Sequence, residues 1–361
     1  MKEERVRCID GIKGMCAIVI AFFVHYQVIC KGYFPMHNVF PYLSSRGHFF
    51  VEMFFMMSGF CIYSAYGNRI MEHSISFGMF MKKRLSKVYF LHFASTIFCA
   101  IFQFGHMLRT GESIFYQNED VSNLVLNFLL LQSGLIGHVE TFNAAAWYLS
   151  NVFLCYIVFY LLFYSFKTEI CAFYVWGCLA VLSIIILYNL WTVPVFNRFV
   201  ARGFLSFFIG MLICRLYRLG GGKIKTVIGV FSLLIAIGSY VVYKVSSGWT
   251  DYIGNYQLVY SLVVMPAMFL SVLLIKPINM FFSSKPLKAV GNISAELFLL
   301  HYPVMYGIKT FDVYLGLNID YYSVWTYIAY VVICLIVSCF ASSIGKYIRR
   351  KDKRIRGAIF E

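Results

Sequence analysis

Ten apolar runs, each near the roughly 20 residues that a helix needs to cross a bilayer core, take up most of the chain. They lie at about 14–31, 48–66, 86–105, 146–165, 170–189, 199–216, 224–243, 257–275, 293–311 and 323–345. Runs of that length cross lipid as helices, because a helix pairs its own backbone groups. Composition agrees. Of 361 residues, 60% are hydrophobic, 19% aromatic and only 13% charged, where soluble domains hold roughly 25% charged residues. Too little polar surface remains to coat a soluble globule. Disorder, a collagen-like rod and a disulfide scaffold are excluded by the same numbers. The 11 cysteines sit mostly inside the runs, with no CxxC and no metal-ligand spacing, so they read as small packing residues with no metal site. The charged start MKEERVRCID leads into a full span rather than a cleavable signal. The expected fold class is all-α: a polytopic membrane helical bundle of about ten transmembrane helices.

The net charge is +15, and the basic residues stand in short blocks between runs and at both ends. That pattern is a topological signal and speaks against nucleic acid as a partner. With ten crossings and the N-terminus inside, every Lys and Arg except Lys31, Arg46, Arg109, Arg198, Arg202, Lys244 and Lys309 falls on the inner side. A further stretch, 121–136, is shorter and broken by Asn127, Gln132 and Gly134. As an eleventh crossing it would put the termini on opposite sides and move a basic cluster outside. It is therefore expected as a short re-entrant or interfacial helix within an external excursion, 106–145. Residues 1–345 form the transmembrane domain and 346–361 a basic cytoplasmic tail, with both termini cytoplasmic.

A titratable residue inside a span costs roughly 2.5–3.5 kcal/mol on insertion scales unless it is paired or lines a wet cavity. The few here are His25, Glu52, Glu296 and His301, with His92 nearer the inner side. His25 lies about 9 Å below the outer end of the first span at 1.5 Å per residue, and Glu52 lies about one turn below it in the second. A carboxylate beside an imidazole orients it and raises its basicity, as a general base requires; a structural histidine bonded to a neighbouring helix is the other reading. Lys82, Lys83, Arg84 and Lys87, with Lys13 at the inner end of the first span, suit either a phosphate-bearing cytosolic ligand or an ordinary positive-inside signal. Trp147 and Tyr148 fit an interfacial belt; Trp147 with Asn151 one turn on fits a sugar acceptor equally well. Ser58-Gly59 reads as a helix-packing site.

Taken in order, five segments resemble acyltransferase family 3, integral-membrane enzymes that acylate bacterial surface polysaccharides. They are IDGIKGMCAIVIAFFVHY, VEMFFMMSGF, KRLSKVYF, WYLS and GNISAELFLLH. The resemblance runs from about Arg7 to the last span. Four departures stand out. The family's first-helix Arg is followed by ten residues and then His, whereas Lys13 is followed by eleven before His25. Lys87 and Phe90 stand where the family has Arg and Pro. Asn151 stands where a Glu is frequent.

The resemblance implies an inner-membrane O-acyltransferase with no bound cofactor, using acyl-CoA, usually acetyl-CoA, as co-substrate. The acceptor would be a surface glycan or a lipid-linked saccharide. His25 would be the catalytic base, or carry the acyl group itself, with Glu52 as its partner. Lys13, Lys82, Lys83, Arg84 and Lys87 would hold the CoA phosphates, and Trp147, Asn151 and His301 would line the acceptor path under a lid made by 106–145. The oligomeric state stays open, a homodimer included. The rival reading is a secondary transporter or exporter of a sugar or lipid-linked glycan, but the inverted repeats and broken helices typical of transporters are not visible.

Overall fold

Each of the ten apolar runs becomes a helix. The computed structural model describes residues 6–134, 137–138, 140–189, 193, 195–219, 221–245 and 256–359. We number the long helices α1 (Cys8–Ile29), α2 (Phe50–Met71), α3 (Phe77–Thr110), α4 (Trp147–Ser165), α5 (Glu169–Asn189), α6 (Arg198–Leu219), α7 (Gly222–Val245), α8 (Tyr256–Leu274), α9 (Ser294–Leu315) and α10 (Val324–Ile359). Among the described residues nine helices are long and apolar enough to cross a membrane. The tenth, α9, has the length, about 33 Å at 1.5 Å per residue, but not the apolarity. It carries Glu296, His301, Pro303 and Lys309, and it is held between α1, α3 and α10, with His301 and Pro303 buried and Glu296 and Lys309 partly so. α10 continues unbroken past Lys346 to Ile359, so the basic stretch prolongs the last helix.

Tyr26 packs on Tyr327, and the Tyr330 hydroxyl donates to the Ala21 carbonyl at 3.0 Å. α1 and α10 are therefore antiparallel, and the start of α1 lies at the same end of the bundle as the last turns of α10, opposite His25. α2 and α6 cross at backbone contact. A Cβ on Gly59 would lie 2.1 Å from the Phe207 carbonyl oxygen, and one on Gly210 would lie 2.0 Å from that of Met56. Only glycine permits this approach, the usual basis of small-residue packing between membrane helices. Ser58, beside Gly59, bonds the Tyr148 hydroxyl of α4 at 2.9 Å.

The segment between α3 and α4 does not cross. From Thr110 it turns back into the bundle. Its short helix, Val121–Phe128, is capped by the Asp120 side chain on the Asn123 amide and lies along α3. The Tyr89 hydroxyl donates to the Phe128 carbonyl, and His92 Nε2 is 2.8 Å from the Asn127 carbonyl. Tyr89 is about 30 Å along α3 from Thr110, so the segment is re-entrant rather than interfacial. It returns through a two-residue antiparallel pairing, Ser133–Gly134 with Gly137–His138, to α4.

Candidate active site

α1 changes character just before His25. It is α-helical over Cys8–Ile18 and then makes a π-helical turn over Val19–Val24, closed by the bond from the His25 amide to the Ile20 carbonyl at 2.9 Å. A π-turn accommodates one more residue than the α-helical path. This one lies between Lys13 and His25. The turn is gripped from outside by Gly47, whose Cβ would lie 2.8 Å from Val24 Cγ2 and 2.9 Å from Val19 Cγ1.

His25 Nδ1 lies 2.7 Å from His301 Nε2, with the rings within 12° of one plane and their centres 4.9 Å apart. That separation is about the N···N distance plus two ring radii, so the imidazoles meet edge to edge. His301 Nδ1 is 3.0 Å from the Leu297 carbonyl, which can only accept. The network then assigns the protons. His301 donates from Nδ1 to Leu297, so neutral His301 accepts at Nε2. His25 donates from Nδ1, and neutral His25 keeps its lone pair at Nε2. His301 is fully buried, whereas His25 keeps part of its surface open. The Tyr302 ring packs against both, with centres 5.1 and 4.9 Å away.

Glu52 does not orient His25. Its carboxylate is held by Arg202 of α6, Nε to Oε1 at 2.7 Å and Nη2 to Oε2 at 3.0 Å, and Gln257 of α8 donates to Oε1 at 3.0 Å. A buried carboxylate gains more from a bidentate guanidinium than from a neutral imidazole, so the expected His25–Glu52 pair is replaced by His25–His301. His301 likewise moves from the expected acceptor path to the imidazole pair. Arg202 is the residue that sequence reasoning missed. Its signal was an arginine inside the apolar run at 199–216, where it would need a partner at depth.

The expected acceptor residues stand apart from this pair. Trp147 has the Arg202 guanidinium 5.2 Å over its ring and Phe199 against it, so one indole face is taken. Asn151 is buried beneath the re-entrant segment. Its Nδ2 donates to Ser133 Oγ at 3.2 Å, and among the described residues its Oδ1 has no partner.

The re-entrant segment is locked to α9 on both sides of the histidine pair. Pro303 has no N–H for the Leu299 carbonyl four residues back; Asn143 Nδ2 fills the place at 2.9 Å and also donates to Ser95 Oγ at 2.8 Å. The Tyr116 and Tyr302 hydroxyls are 2.8 Å apart. Glu119 accepts from the Tyr306 hydroxyl and, at 3.0 Å, from the Phe142 amide. Burial outweighs these two bonds and lifts the Glu119 carboxyl from its ordinary 4.5 to about 7.

At the opposite end the basic cluster divides. Lys82 and Lys83 are exposed, while Arg84 folds inward, its guanidinium 4.6 Å over the Tyr66 ring and bonded to the Tyr66 hydroxyl. The Lys87 side chain lies outside the described residues, and Lys13 is partly buried on α1. A cavity of about 510 Å³ opens at this end, lined by Arg7, Ser64, Arg218 and Asn279 among others. Arg218 Nη2 donates to Ser64 Oγ at 3.0 Å.

Comparison with known proteins agrees with the motif order. A protein called "Protein 2 in picA locus", from Rhizobium radiobacter, is 34% identical over 89 residues, which are 25% of this chain and 41% of that protein. The match thus spans less than half of that relative's length. No solved structure matches. The family model described as an acyltransferase domain matches residues 6–344, nearly the whole chain, which therefore belongs to acyltransferase family 3.

Proposed function

We propose that this membrane acyltransferase moves an acyl group, acetyl by family habit, from cytosolic acyl-CoA to a saccharide hydroxyl, with His25 as general base. The observation that carries the reading is the relay from His25 Nδ1 through His301 to the Leu297 carbonyl, which leaves the lone pair at His25 Nε2. A sugar hydroxyl is a poor nucleophile near pH 7, and a neutral imidazole is the side chain best matched to taking its proton. In the step, Nε2 takes the hydroxyl proton as the oxygen attacks the thioester carbonyl. The new C–O bond forms, the C–S bond breaks, and the proton passes to the departing CoA thiolate. His301 positions the base. Glu52 and Arg202 hold α2 and α6 together beside it.

Both termini are proposed to be cytoplasmic, on the distribution of basic residues, and the membrane to be the inner one. Residues 1–345 are then the acyltransferase domain, and 346–361 a basic cytoplasmic extension. The donor enters from the cytoplasmic end. There Arg7 and Arg218 join Lys13, Lys82, Lys83, Arg84 and Lys87 as candidates for the CoA phosphates. The acceptor, a surface glycan or lipid-linked saccharide, enters from the His25 end along a path lined by Trp147 and Asn151, with 106–145 as the lid above it. The test is CoA release by purified protein given acetyl-CoA with and without glycan. Release that depends on glycan, with acetyl recovered as a sugar ester, is the expected result. Acetyl-CoA left intact across a panel of surface glycans and lipid-linked saccharides would contradict it.

A further inference from the structure

Arg46 ends a short helix, Pro41–Arg46, in the connection between α1 and α2. Its guanidinium carbon lies 4.7 Å from the centre of the Tyr256 ring and 5.9 Å from those of Tyr243 and Tyr260. Tyr42 closes the wall against Tyr240, Tyr243 and Tyr260. The rings thus come from three elements: the short helix, the end of α7 and the start of α8. Among the described residues no carboxylate pairs with Arg46, and its Nε is buried without a hydrogen-bond partner. The carboxylate of Glu52 is already taken by Arg202. Tyrosine faces attract a guanidinium but satisfy none of its N–H groups. Among the described residues this flank of the bundle is exposed: Tyr240 is 45% and Tyr256 36% exposed, and α7 is the least buried of the nine apolar helices.

We propose that Arg46, walled by Tyr243, Tyr256 and Tyr260, seats the phosphate of a membrane lipid in the leaflet at the His25 end. An open flank on a spanning helix admits a ligand from the bilayer. The anionic group that membrane lipids carry at headgroup depth is phosphate, which the planar guanidinium fork matches with paired N–H donors. Arg46 is followed directly by Gly47, which grips the π-turn before His25, so a lipid held here has its headgroup beside the catalytic helix. On the proposed function, which this step rests on, the lipid is the carrier of the acceptor: a polyprenyl phosphate whose saccharide is presented to His25 Nε2. A bulk anionic phospholipid offers the same phosphate and is the other source.

Native mass spectrometry of the detergent-purified full chain tests this with four probes: polyprenyl phosphate, neutral polyprenol, phosphatidylglycerol and inorganic phosphate. Wild type should retain polyprenyl phosphate at least about tenfold better than polyprenol, the scale of a charge-assisted contact. Arg46→Gln should remove that difference, Arg46→Lys should keep part of it, and inorganic phosphate should not bind without its lipid. Preference for polyprenyl phosphate over phosphatidylglycerol assigns the acceptor carrier; equal retention assigns a general lipid-phosphate seat. Equal retention of polyprenyl phosphate and polyprenol by wild type overturns the site. So does an unchanged phosphate preference in Arg46→Gln. The wild-type comparison stands even if Arg46→Gln does not fold. No acyl-CoA is used, so failure of glycan acylation would count against the enzymatic reading and leave this result in place.

Discussion

Asn143 Nδ2 lies 2.9 Å from the carbonyl of Leu299, the group that Pro303 leaves without its helical donor. One side chain from the re-entrant segment thus repairs the backbone of the helix that carries His301, two residues before the proline. Removing a buried donor of this kind costs about 1–3 kcal/mol. Asn143→Ala should lower the thermal unfolding midpoint in detergent. An unchanged midpoint would mean that the segment does not secure α9.

His301 acts through His25. Without it, His25 Nδ1 has no acceptor and the tautomer with a free Nε2 is no longer enforced. His301→Ala should lower kcat roughly 10²-fold or more, the scale of general-base catalysis, with KM for acyl-CoA little changed. His301→Gln, which can still accept through its side-chain oxygen, should recover part of the loss. Steady-state kinetics on both variants separates positioning from folding, because a merely structural role would not give this order.

The Glu52–Arg202 pair is buried, with the carboxylate side chain 0% and the guanidinium side 11% exposed. Breaking such a pair from one side costs about 3–5 kcal/mol, because the other charge is left uncompensated. Glu52→Gln should therefore destabilise the protein strongly, and Glu52→Gln with Arg202→Met should recover part of the loss. Activity per folded molecule should fall less in Glu52→Gln than in His25→Ala. Unfolding midpoints, with activity normalised to folded protein, check both statements.

Glu119 makes stability depend on pH. Its folded carboxyl is raised from 4.5 to about 7, so the folded state holds the proton more tightly than the unfolded state does. The group costs nothing below its unfolded value. Its penalty grows as pH rises from about 4.5 to about 7 and is complete above that, at about 3 kcal/mol. Glu119→Gln should flatten the fall in unfolding midpoint across that window. A wild-type profile that rises over the same window would contradict the assignment.

The helices were legible because lipid imposes one length and one composition on each crossing. α9 departs from that composition and shows why the site was harder to read. Its polar residues are tolerated only because protein surrounds it, and sequence records which residues are polar but not which face each other. His25 and His301 could both be singled out at depth, yet they are 276 positions apart, and the nearer carboxylate, Glu52, was the obvious partner. Arg202 broke that assignment. In the charge distribution it is one of the seven basic residues off the inner side, although it stands within the apolar run 199–216. The re-entrant depth of 121–128 was hidden for another reason: its anchors, Asn127, Glu119 and Asn143, are ordinary loop residues until they meet α3 and α9.

Acyl transfer by purified His25→Ala and His25→Gln, at matched amounts of folded protein, tests the central claim most directly. Both substitutions remove the Nε2 lone pair while leaving Arg46, the Glu52–Arg202 pair and the re-entrant segment untouched. The account predicts a loss of at least 10²–10⁴-fold in rate per folded molecule in both; His25→Ala, which leaves the buried His301 Nε2 unpaired, should also lose about 1–3 kcal/mol of stability. Activity within a few-fold of wild type in both would contradict it and remove His25 from the reaction.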